Sequence, residues 1–248
     1  MILARLAKSL RRQDWTTFAI EFVLVIAGVL VALEVDNWNQ ERVEAGQFRQ
    51  ELQLLRAELA ENRARLDYTI ERSEYEIRVL GAFQGAFHGA SIDGNPIDPA
   101  DYVFTLLTPL PQLIREAAVD RVLGSDHILA GHYESLRQHL EDWNRTFTGY
   151  LHVATDVTQY RNTVMLPLFT ESHSQIAVAQ RTLEHYSTHR LVEGEGDPLA
   201  ALLSDPRVEN TVVFRLSMSA NLLHHVRRLD ELSVAAMAEI DKLLSEDS

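Results

Sequence analysis

The sequence FRQELQLLRAELAENRARL, residues 48–66, carries apolar side chains at alternating spacings of four and three residues. This period of 3.5 residues places one narrow stripe along an α-helix. The stripe comprises Phe48, Leu52, Leu55, Leu59, Asn62 and Leu66. Asn62, its one polar member, is a candidate for setting the register between helices. The pattern predicts a long helix whose stripe faces an intramolecular helical bundle, with an intermolecular coiled coil as the alternative.

The helical pattern extends beyond this stretch on both sides. No proline or turn cluster separates it from residues 15–35, so one unbroken helix is expected to cover both. On the C-terminal side the stripe is expected to continue less regularly through Ile70, Ile77, Leu80 and Phe83. A loop at residues 88–100, HGASIDGNPIDPA, follows this helix. Within it, Asp98 and Pro99 mark the start of a short helix that ends before Pro109.

The rest of the chain repeats the helical periodicity, and no convincing strand pattern occurs. A short helix is expected to run from about Gln112 to Leu123. The four-and-three spacing then returns in Leu129, Tyr133, Leu136, Leu140, Trp143, Phe147 and Tyr150. That helix is expected to kink or end at Pro167, and two more follow, at residues 168–191 and at about residues 205–244. We predict an all-α fold, an elongated and mainly four-helix bundle with short capping helices.

Residues 15–33, WTTFAIEFVLVIAGVLVAL, form the one segment of the sequence that could cross a lipid bilayer. Nineteen residues of helix measure roughly 28 Å, close to the hydrocarbon thickness of roughly 30 Å. Trp15 and Trp38 are expected to lie at the two membrane interfaces. A cleaved signal peptide is the alternative, because the strictly uncharged part, residues 22–33, is short. No small-x-small cleavage motif follows it, so an uncleaved anchor is expected.

Charged residues on either side of this segment predict its orientation. The preceding basic residues are Arg5, Lys8, Arg11 and Arg12, and the following acidic residues are Glu34, Asp36, Glu41 and Glu44. Positive charge near a span resists translocation, so the N terminus is expected in the bacterial cytoplasm and the C-terminal part in the periplasm. The expected organisation is a basic amphipathic tail at residues 1–14, an inner-membrane anchor at residues 15–35 and a periplasmic helical bundle at residues 36–248.

An acidic side chain interrupts the predicted anchor. Glu21 lies about six residues inside Trp15, where an ionised carboxylate costs up to about 2.5–3.5 kcal/mol on insertion scales. On a helix, Glu21, Gly28 and Ala32 share one face, and the two small residues would let another helix approach closely. We expect this face to bind another membrane protein or a second copy of the chain. The alternative is that Glu21 reaches toward the headgroups and the small residues are ordinary filler.

Charge and cysteine content exclude several functions. The net charge is −13, and residues 1–14 hold four basic residues and one acidic residue, so the remainder carries about −16. An acidic domain of this kind repels nucleic acid and anionic lipid headgroups, and we expect no nucleic-acid partner. The chain contains no cysteine, which rules out disulfides, thiolate zinc sites and a cysteine nucleophile.

The sequence shows no recognisable motif for catalysis or cofactor binding. His185 and His189 could bind one metal from the same helical face. The glutamate that follows the first histidine of a zincin motif is replaced by Tyr186, which favours a solvent-facing polar pair instead. His224 and His225 are adjacent, so at most one of them can face the core. We expect no catalytic residue, no cofactor and no metal site.

The segment DWTTFAIEFVLVIAGVLVALEVDNWNQER, residues 14–42, resembles the start of an uncharacterised family of bacterial single-pass, N-terminally anchored membrane proteins, a domain of unknown function. That family has an early Glu and a central Gly in its anchor, then an Asn-Trp-Asn triplet before a long charged helix. The matching positions here are Glu21, Gly28, Asn37, Trp38 and Asn39. Weaker resemblance continues through residues 121–143 and 205–226. The resemblance implies a membrane-tethered helical domain and supplies no activity or cofactor.

Three classes of function remain open at this point. The first is a non-catalytic membrane-tethered subunit or scaffold that contacts other membrane or periplasmic proteins through its anchor and long helices. The second is a periplasmic ligand-binding helical bundle without its own output domain, since no second span or output region is recognisable in the sequence. The third is an enzyme. The anchor face and the missing catalytic motifs favour the first class.

Overall fold

A computed structural model describes residues 15–89, 99–108, 114–171 and 203–246. At residues 15–19, 99–101 and 170–171 it describes the backbone but not the side chains. Every regular element in this part of the chain is helical, which confirms the all-α fold. The chain divides into two compact units, residues 1–51 and residues 52–248.

The described part of the first unit is a single stretch of helix. It belongs to α1, Trp15–Phe87, which is continuous over 73 residues and confirms the expectation of one unbroken helix. Every side chain from Ile20 to Val43 is exposed, whereas Phe48 is buried. Within the described residues, no helix contains a segment both long enough and apolar enough to span a membrane.

In its described residues, the second unit combines the remainder of α1 with five further helices. They are α2 (Pro99–Leu107), α3 (Ala117–Leu123), α4 (Glu134–Tyr160), α5 (Leu166–Glu171) and α6 (Pro206–Glu246). Two short 3-10 turns, Asp126–Leu129 and Gly131–Tyr133, lead into α4, and a π-helical turn, Arg161–Met165, joins α4 to α5. The proposed fourth long helix at 168–191 lies mostly outside the described residues.

Cross-helix contacts give the direction of the three long helices that the described residues of this unit form. Along α1, residues 56, 63 and 76 pair with residues 241, 230 and 215 of α6, so the two helices are antiparallel. Along α4, Trp143 donates a hydrogen bond to Ser233, and the ring of Tyr160 lies 4.3 Å from that of Phe214. Helix α6 is therefore antiparallel to α4 as well.

The buried side chains of all three long helices repeat at spacings of four and three. On α1 they include Leu52, Leu55, Leu59, Asn62, Leu66, Leu80 and Phe83. On α4 they include Leu136, Leu140, Trp143, Phe147, Tyr150, Ala154 and Val157. On α6 they include Val212, Arg215, Ser219, Leu222, Val226, Leu229, Ser233, Ala236, Ile240 and Leu243. The stripe at residues 48–66 is thus an inner face of the bundle, as predicted.

The predicted continuation of the α1 stripe is confirmed at Leu80 and Phe83 and was wrong at Ile70 and Ile77. Ile70 and Ile77 are only half-buried, and the buried positions are Thr69, Ser73 and Glu76. These three residues keep the spacing of four and three that links Leu66 to Leu80. The buried positions therefore keep a period of 3.5 residues, and the stripe is polar over two turns. Helix α6 supplies partners for Glu76, whereas the Thr69 hydroxyl bonds to a carbonyl of its own helix.

Two expected helix starts were also wrong. Helix α3 begins at Ala117 and not near Gln112, since Glu58 of α1 accepts a hydrogen bond from the backbone N–H of Ala118 and caps the helix there. Leu129 is not part of α4, because it lies in a 3-10 turn and is 68% exposed. The predicted starts of α2 at Pro99 and of α6 at Pro206 are confirmed.

Pro167 neither ends the helix nor starts a new one. The π turn Arg161–Met165 directly precedes it, and α5 continues through Pro167 to Glu171. A π turn shifts the hydrogen-bond ladder by one residue, which accommodates the N–H that proline lacks.

Four helical segments meet at the end of the bundle formed by the C-terminal part of α1. The apolar cluster consists of Val79, Leu80, Phe83, Tyr102, Val103, Leu106, Met165, Leu168, Phe169, Val208 and Val212. The ring of Tyr102 stacks on Phe83 at 4.2 Å. Helix α2 thereby completes the core at this end, where α1, α5 and α6 alone would leave apolar side chains uncovered.

Candidate functional site

The predicted partner-binding residues share one face of α1. Glu21, Gly28 and Ala32 are all exposed, and a Cβ atom built on Gly28 would meet nothing within 4 Å. Trp38, the predicted interface residue beyond the anchor, is 61% exposed. The side chain of Trp15, the other predicted interface residue, lies outside the described residues. The described residues therefore leave this face open to a partner.

Apolar side chains surround the helix in this region on every side. The exposed ones are Ile20, Phe22, Val23, Leu24, Val25, Ile26, Val29, Leu30, Val31, Leu33 and Val35. Consecutive residues on a helix point in directions about 100° apart, so this run covers the full circumference rather than one stripe. An exposed apolar surface of this extent is typical of a segment that contacts lipid or another protein.

A second polar feature lies in the core of the bundle. The carboxylate of Glu76 on α1 and the guanidinium of Arg215 on α6 have side-chain exposures of 1% and 0%, and Arg215 Nε lies 2.6 Å from Glu76 Oε1. The Nε–H bond is not aligned with the carboxylate, so the contact is an ion pair without a good hydrogen bond. The Ser219 hydroxyl donates to the same Oε1 atom at 2.6 Å.

Only some of the N–H donors of the Arg215 guanidinium have a hydrogen-bond acceptor. Its Nη2 donates to the backbone carbonyl of Thr108 at 3.3 Å, directly after α2 ends. Its Nη1, and the hydroxyl of Ser73 on α1, have no hydrogen-bond partner among the described residues. Removing one member of a buried ion pair generally costs about 3–5 kcal/mol, whereas replacing both with apolar residues is often neutral. Such a pair contributes more to specificity than to net stability.

Asn62 has a different role from the one expected. Its side chain is fully buried, its Nδ2 donates to the carbonyl oxygen of Arg115 at 2.6 Å, and its Oδ1 accepts from the Arg115 N–H at 3.0 Å. The amide thus pairs with a peptide group in the manner of a neighbouring strand residue. Asn62 fixes the segment before α3 onto α1, and within the described residues its hydrogen bonds do not join one long helix to another.

The two adjacent histidines occupy different environments. His224 is exposed, whereas His225 is half-buried with its ring against Gly149 of α4. Burial lowers the pKa of His225 from its ordinary value, and the neighbouring charge of His224 lowers it further. His225 therefore packs at the α4–α6 contact in an environment that favours its neutral form. His185 and His189, the other candidate pair, lie outside the described residues.

The described residues offer few features for catalysis. Among them, no group of three or more His, Asp and Glu side chains is close enough to hold a metal ion. A surface groove of about 380 Å³ on the outer side of α4 and the π turn is lined by Thr155, Thr158, Gln159, Asn162 and Thr163. These side chains are neutral, so they supply no group with a pKa suited to general acid or base catalysis.

Sequence reasoning missed the Glu76–Arg215 pair. Neither residue was singled out from the sequence, because charged side chains are rarely buried. A usable signal was present, since strict continuation of the 3.5-residue period from Leu66 reaches positions 69, 73, 76 and 80. A charge at such a position on each of two helices points to a buried pair.

No protein-family model, no curated protein and no solved structure matches this chain. Its function is therefore inferred from the residues and their geometry alone.

Proposed function

We propose that this protein is a non-catalytic, membrane-tethered subunit or scaffold. In this proposal residues 15–35 anchor the chain in the bacterial inner membrane. The helical bundle lies in the periplasm, and the anchor together with the long helices contacts another membrane or periplasmic protein. The segment also includes Trp15 to Ala19, whose side chains lie outside the described residues.

The observation that carries the proposal is that the first unit consists largely of apolar side chains and exposes them. Apolar side chains surround α1 from Ile20 to Val35, and all of them are exposed. A helix that is apolar on all sides is stable in a membrane or inside a large protein core, and it is unfavourable in water. Glu21 and Glu34 are the only ionisable residues between Ile20 and Val35. A lipid environment is the simplest one that such a surface fits.

The orientation follows from the flanking charges. Four basic residues lie in the first twelve positions, and the acidic residues follow the apolar run. Basic flanks stay on the cytoplasmic side, so the bundle is on the periplasmic side in this proposal. Its acidic surface does not favour binding to anionic headgroups, which supports a role away from the lipid surface.

A partner contact is proposed for the face that carries Glu21, Gly28 and Ala32. A carboxylate within a bilayer needs a hydrogen-bond donor, a counter-charge or a proton. Small residues one turn apart let a second helix approach the backbone closely. Another membrane protein, or a second copy of this chain, would meet both requirements if its helix carried a donor near Glu21.

The non-catalytic part of the proposal is supported by how the bundle uses its polar groups. The buried side chains of Asn62, Glu76 and Arg215 contact other parts of the bundle. The buried hydroxyl of Ser233 accepts a hydrogen bond from Trp143. These groups hold helices together, and the groove on α4 is lined by other residues.

A topology measurement tests the proposed membrane anchor and the proposed periplasmic location of the bundle. Alkaline phosphatase fused after Ser248 is expected to be active, and green fluorescent protein fused at the same place is expected to be dark. Both results follow if the C-terminal end is periplasmic. Bright fluorescence with inactive phosphatase would reject the proposed location.

Substitutions on the anchor face test the partner contact. Glu21→Leu is expected to abolish stoichiometric co-purification of the partner in detergent, or the dimer if the partner is a second copy. Glu21→Gln is expected to keep part of it, because the amide still accepts a hydrogen bond. Gly28→Leu should weaken the same association, and Val29→Leu, on another face, is the matched control. Full association in the Glu21→Leu variant would reject this contact.

A further inference from the structure

Helices α1 and α6 lie antiparallel and are joined by cross-helix pairs, and the stripe of buried residues on each is mainly formed by apolar side chains. Leu52 to Leu66 and Leu80 to Phe83 provide these on α1, and Leu222 to Leu243 provide most of them on α6. Each stripe repeats every seven residues, so moving one helix past the other by a heptad, about 10 Å, would again place apolar residues opposite apolar residues. Apolar packing alone therefore specifies the axial alignment of the two helices weakly.

Four of the buried polar side chains on α1 and α6 form hydrogen bonds that do not connect these two helices. Asn62 pairs with the Arg115 backbone, and Ser233 pairs with Trp143 of α4. The hydroxyls of Thr69 and Thr211 bond to carbonyls of their own helices. These four side chains therefore cannot align one helix on the other.

The surface ion pairs between α1 and α6 are weak determinants of alignment. Arg56–Asp241, Arg63–Asp230 and Arg227–Glu74 all have substantial solvent exposure. Exposed pairs contribute little because water and salt screen them and because long side chains lose entropy on pairing.

We infer that the buried Glu76–Arg215 ion pair sets the axial alignment of α1 on α6. A shift by one heptad in either direction would place Glu76 beside Val208 and Val212, or beside Leu222 and Val226, which are all buried and apolar. Both charges would then lie unpaired in the core. Shifted alignments are thereby disfavoured by on the order of 100-fold or more.

Cysteine crosslinking measures this alignment directly, because the chain contains no cysteine of its own. Asp230→Cys is combined in the full chain with Arg63→Cys, Arg56→Cys or Ile70→Cys. The three α1 positions are seven residues apart on the same side of the helix. Arg63 pairs with Asp230 in the structure, and the other two report a shift by one heptad in each direction. A short bis-maleimide and mass spectrometry give the crosslinked fraction of each pair.

In the parent chain we expect efficient crosslinking from position 63 and at most about one hundredth of it from positions 56 and 70. In the double variant Glu76→Leu/Arg215→Met, crosslinking from positions 56 and 70 is expected to rise at least 10-fold while helicity is retained. Ser219→Ala is the matched control, because it keeps the ion pair and should keep the parent pattern.

Three results would overturn the inference. The first is a parent-like pattern in the double variant, which would assign alignment to apolar packing or to the α4 contacts. The second is loss of helicity in the double variant, which would make the pair a requirement for folding instead of alignment. The third is an equal rise in crosslinking from positions 56 and 70 in the Ser219→Ala variant, which keeps both charges of the ion pair.

Discussion

Two halves of one helix have opposite surroundings in this protein. From Ile20 to Val43, α1 exposes every side chain, including a run of large apolar residues. From Leu52 to Phe83, the same helix buries one stripe that includes a charged residue, Glu76. From Ile20 to Val35 the first half is apolar on all sides apart from Glu21 and Glu34, and the second half is amphipathic. Amphipathicity is therefore a better indicator of burial in the bundle than hydrophobicity is.

Replacing a glutamate by leucine should have opposite effects in the two halves, and this is the largest expected difference. Glu76→Leu leaves Arg215 buried without its counter-charge and should lower the free energy of unfolding of the bundle by about 3–5 kcal/mol. Glu21→Leu should leave that unfolding unchanged and should favour membrane insertion by up to about 2.5–3.5 kcal/mol. Urea unfolding in detergent and an insertion assay measure the two quantities. A bundle unaffected by Glu76→Leu would contradict the buried pair.

Replacing a leucine by alanine should also affect bundle stability differently in the two halves of α1, by a smaller amount. Leu59→Ala removes a side chain with 0% exposure and should cost about 2–5 kcal/mol of bundle stability. Leu30→Ala removes one with 60% exposure and should change it by less than about 0.5 kcal/mol. Both changes in stability follow from the urea concentrations at the unfolding midpoints, if the free energy of unfolding depends on urea with the same slope in each variant. Equal losses would mean that residues near Leu30 belong to the same folding unit as the bundle.

Two glycine-to-alanine substitutions are expected to show the next smaller difference in bundle stability. A Cβ atom at Gly149 would lie 2.7 Å from the ring of His225, so Gly149→Ala should push α4 from α6 and cost about 1–3 kcal/mol. Gly28→Ala meets no atom within 4 Å and should leave bundle unfolding unchanged. Thermal unfolding followed by circular dichroism compares them. A stabilised Gly149→Ala variant would show that the His225 ring moves aside easily.

The smallest expected effect concerns pH. Burial first, and the neighbouring His224 second, lower the pKa of His225 in the folded chain below its ordinary value of 6.5. The unfolded chain then binds a proton that the folded chain does not, so stability falls as the pH drops through 6.5. The melting temperature should fall by less than about 3 °C between about pH 7 and about pH 5.5. His225→Gln should remove this fall, and His132→Gln, at an exposed site, should not.

The sequence predicted the helical fold well wherever the signal was local. Spacings of four and three identified the inner faces of α1 and α4, and proline after an aspartate marked the starts of α2 and α6. The prediction of buried positions failed where a residue far along the chain provides a partner for a polar side chain. Ile70 and Ile77 were placed in the stripe for their hydrophobicity, but Arg215 makes burial of Glu76 favourable in their place.

The candidate site was predictable in part. Glu21, Gly28 and Ala32 follow from helical geometry, and α1 brings them to one exposed face. The role of Asn62 could not be foreseen, because it depends on the Arg115 peptide group 53 residues away. The same holds for Glu58, whose contact with Ala118 determines where α3 begins.

Periodicity and composition alone determined the all-α class, the continuity of α1 and the apolar character of residues 15–33, because these depend on neighbours within a few turns of one helix. Tertiary structure decided which polar side chains are buried and where α3 starts, because a buried charge or amide is stable only where another segment supplies its partner. Such partners lie far away along the chain, and folding alone brings them within hydrogen-bonding distance.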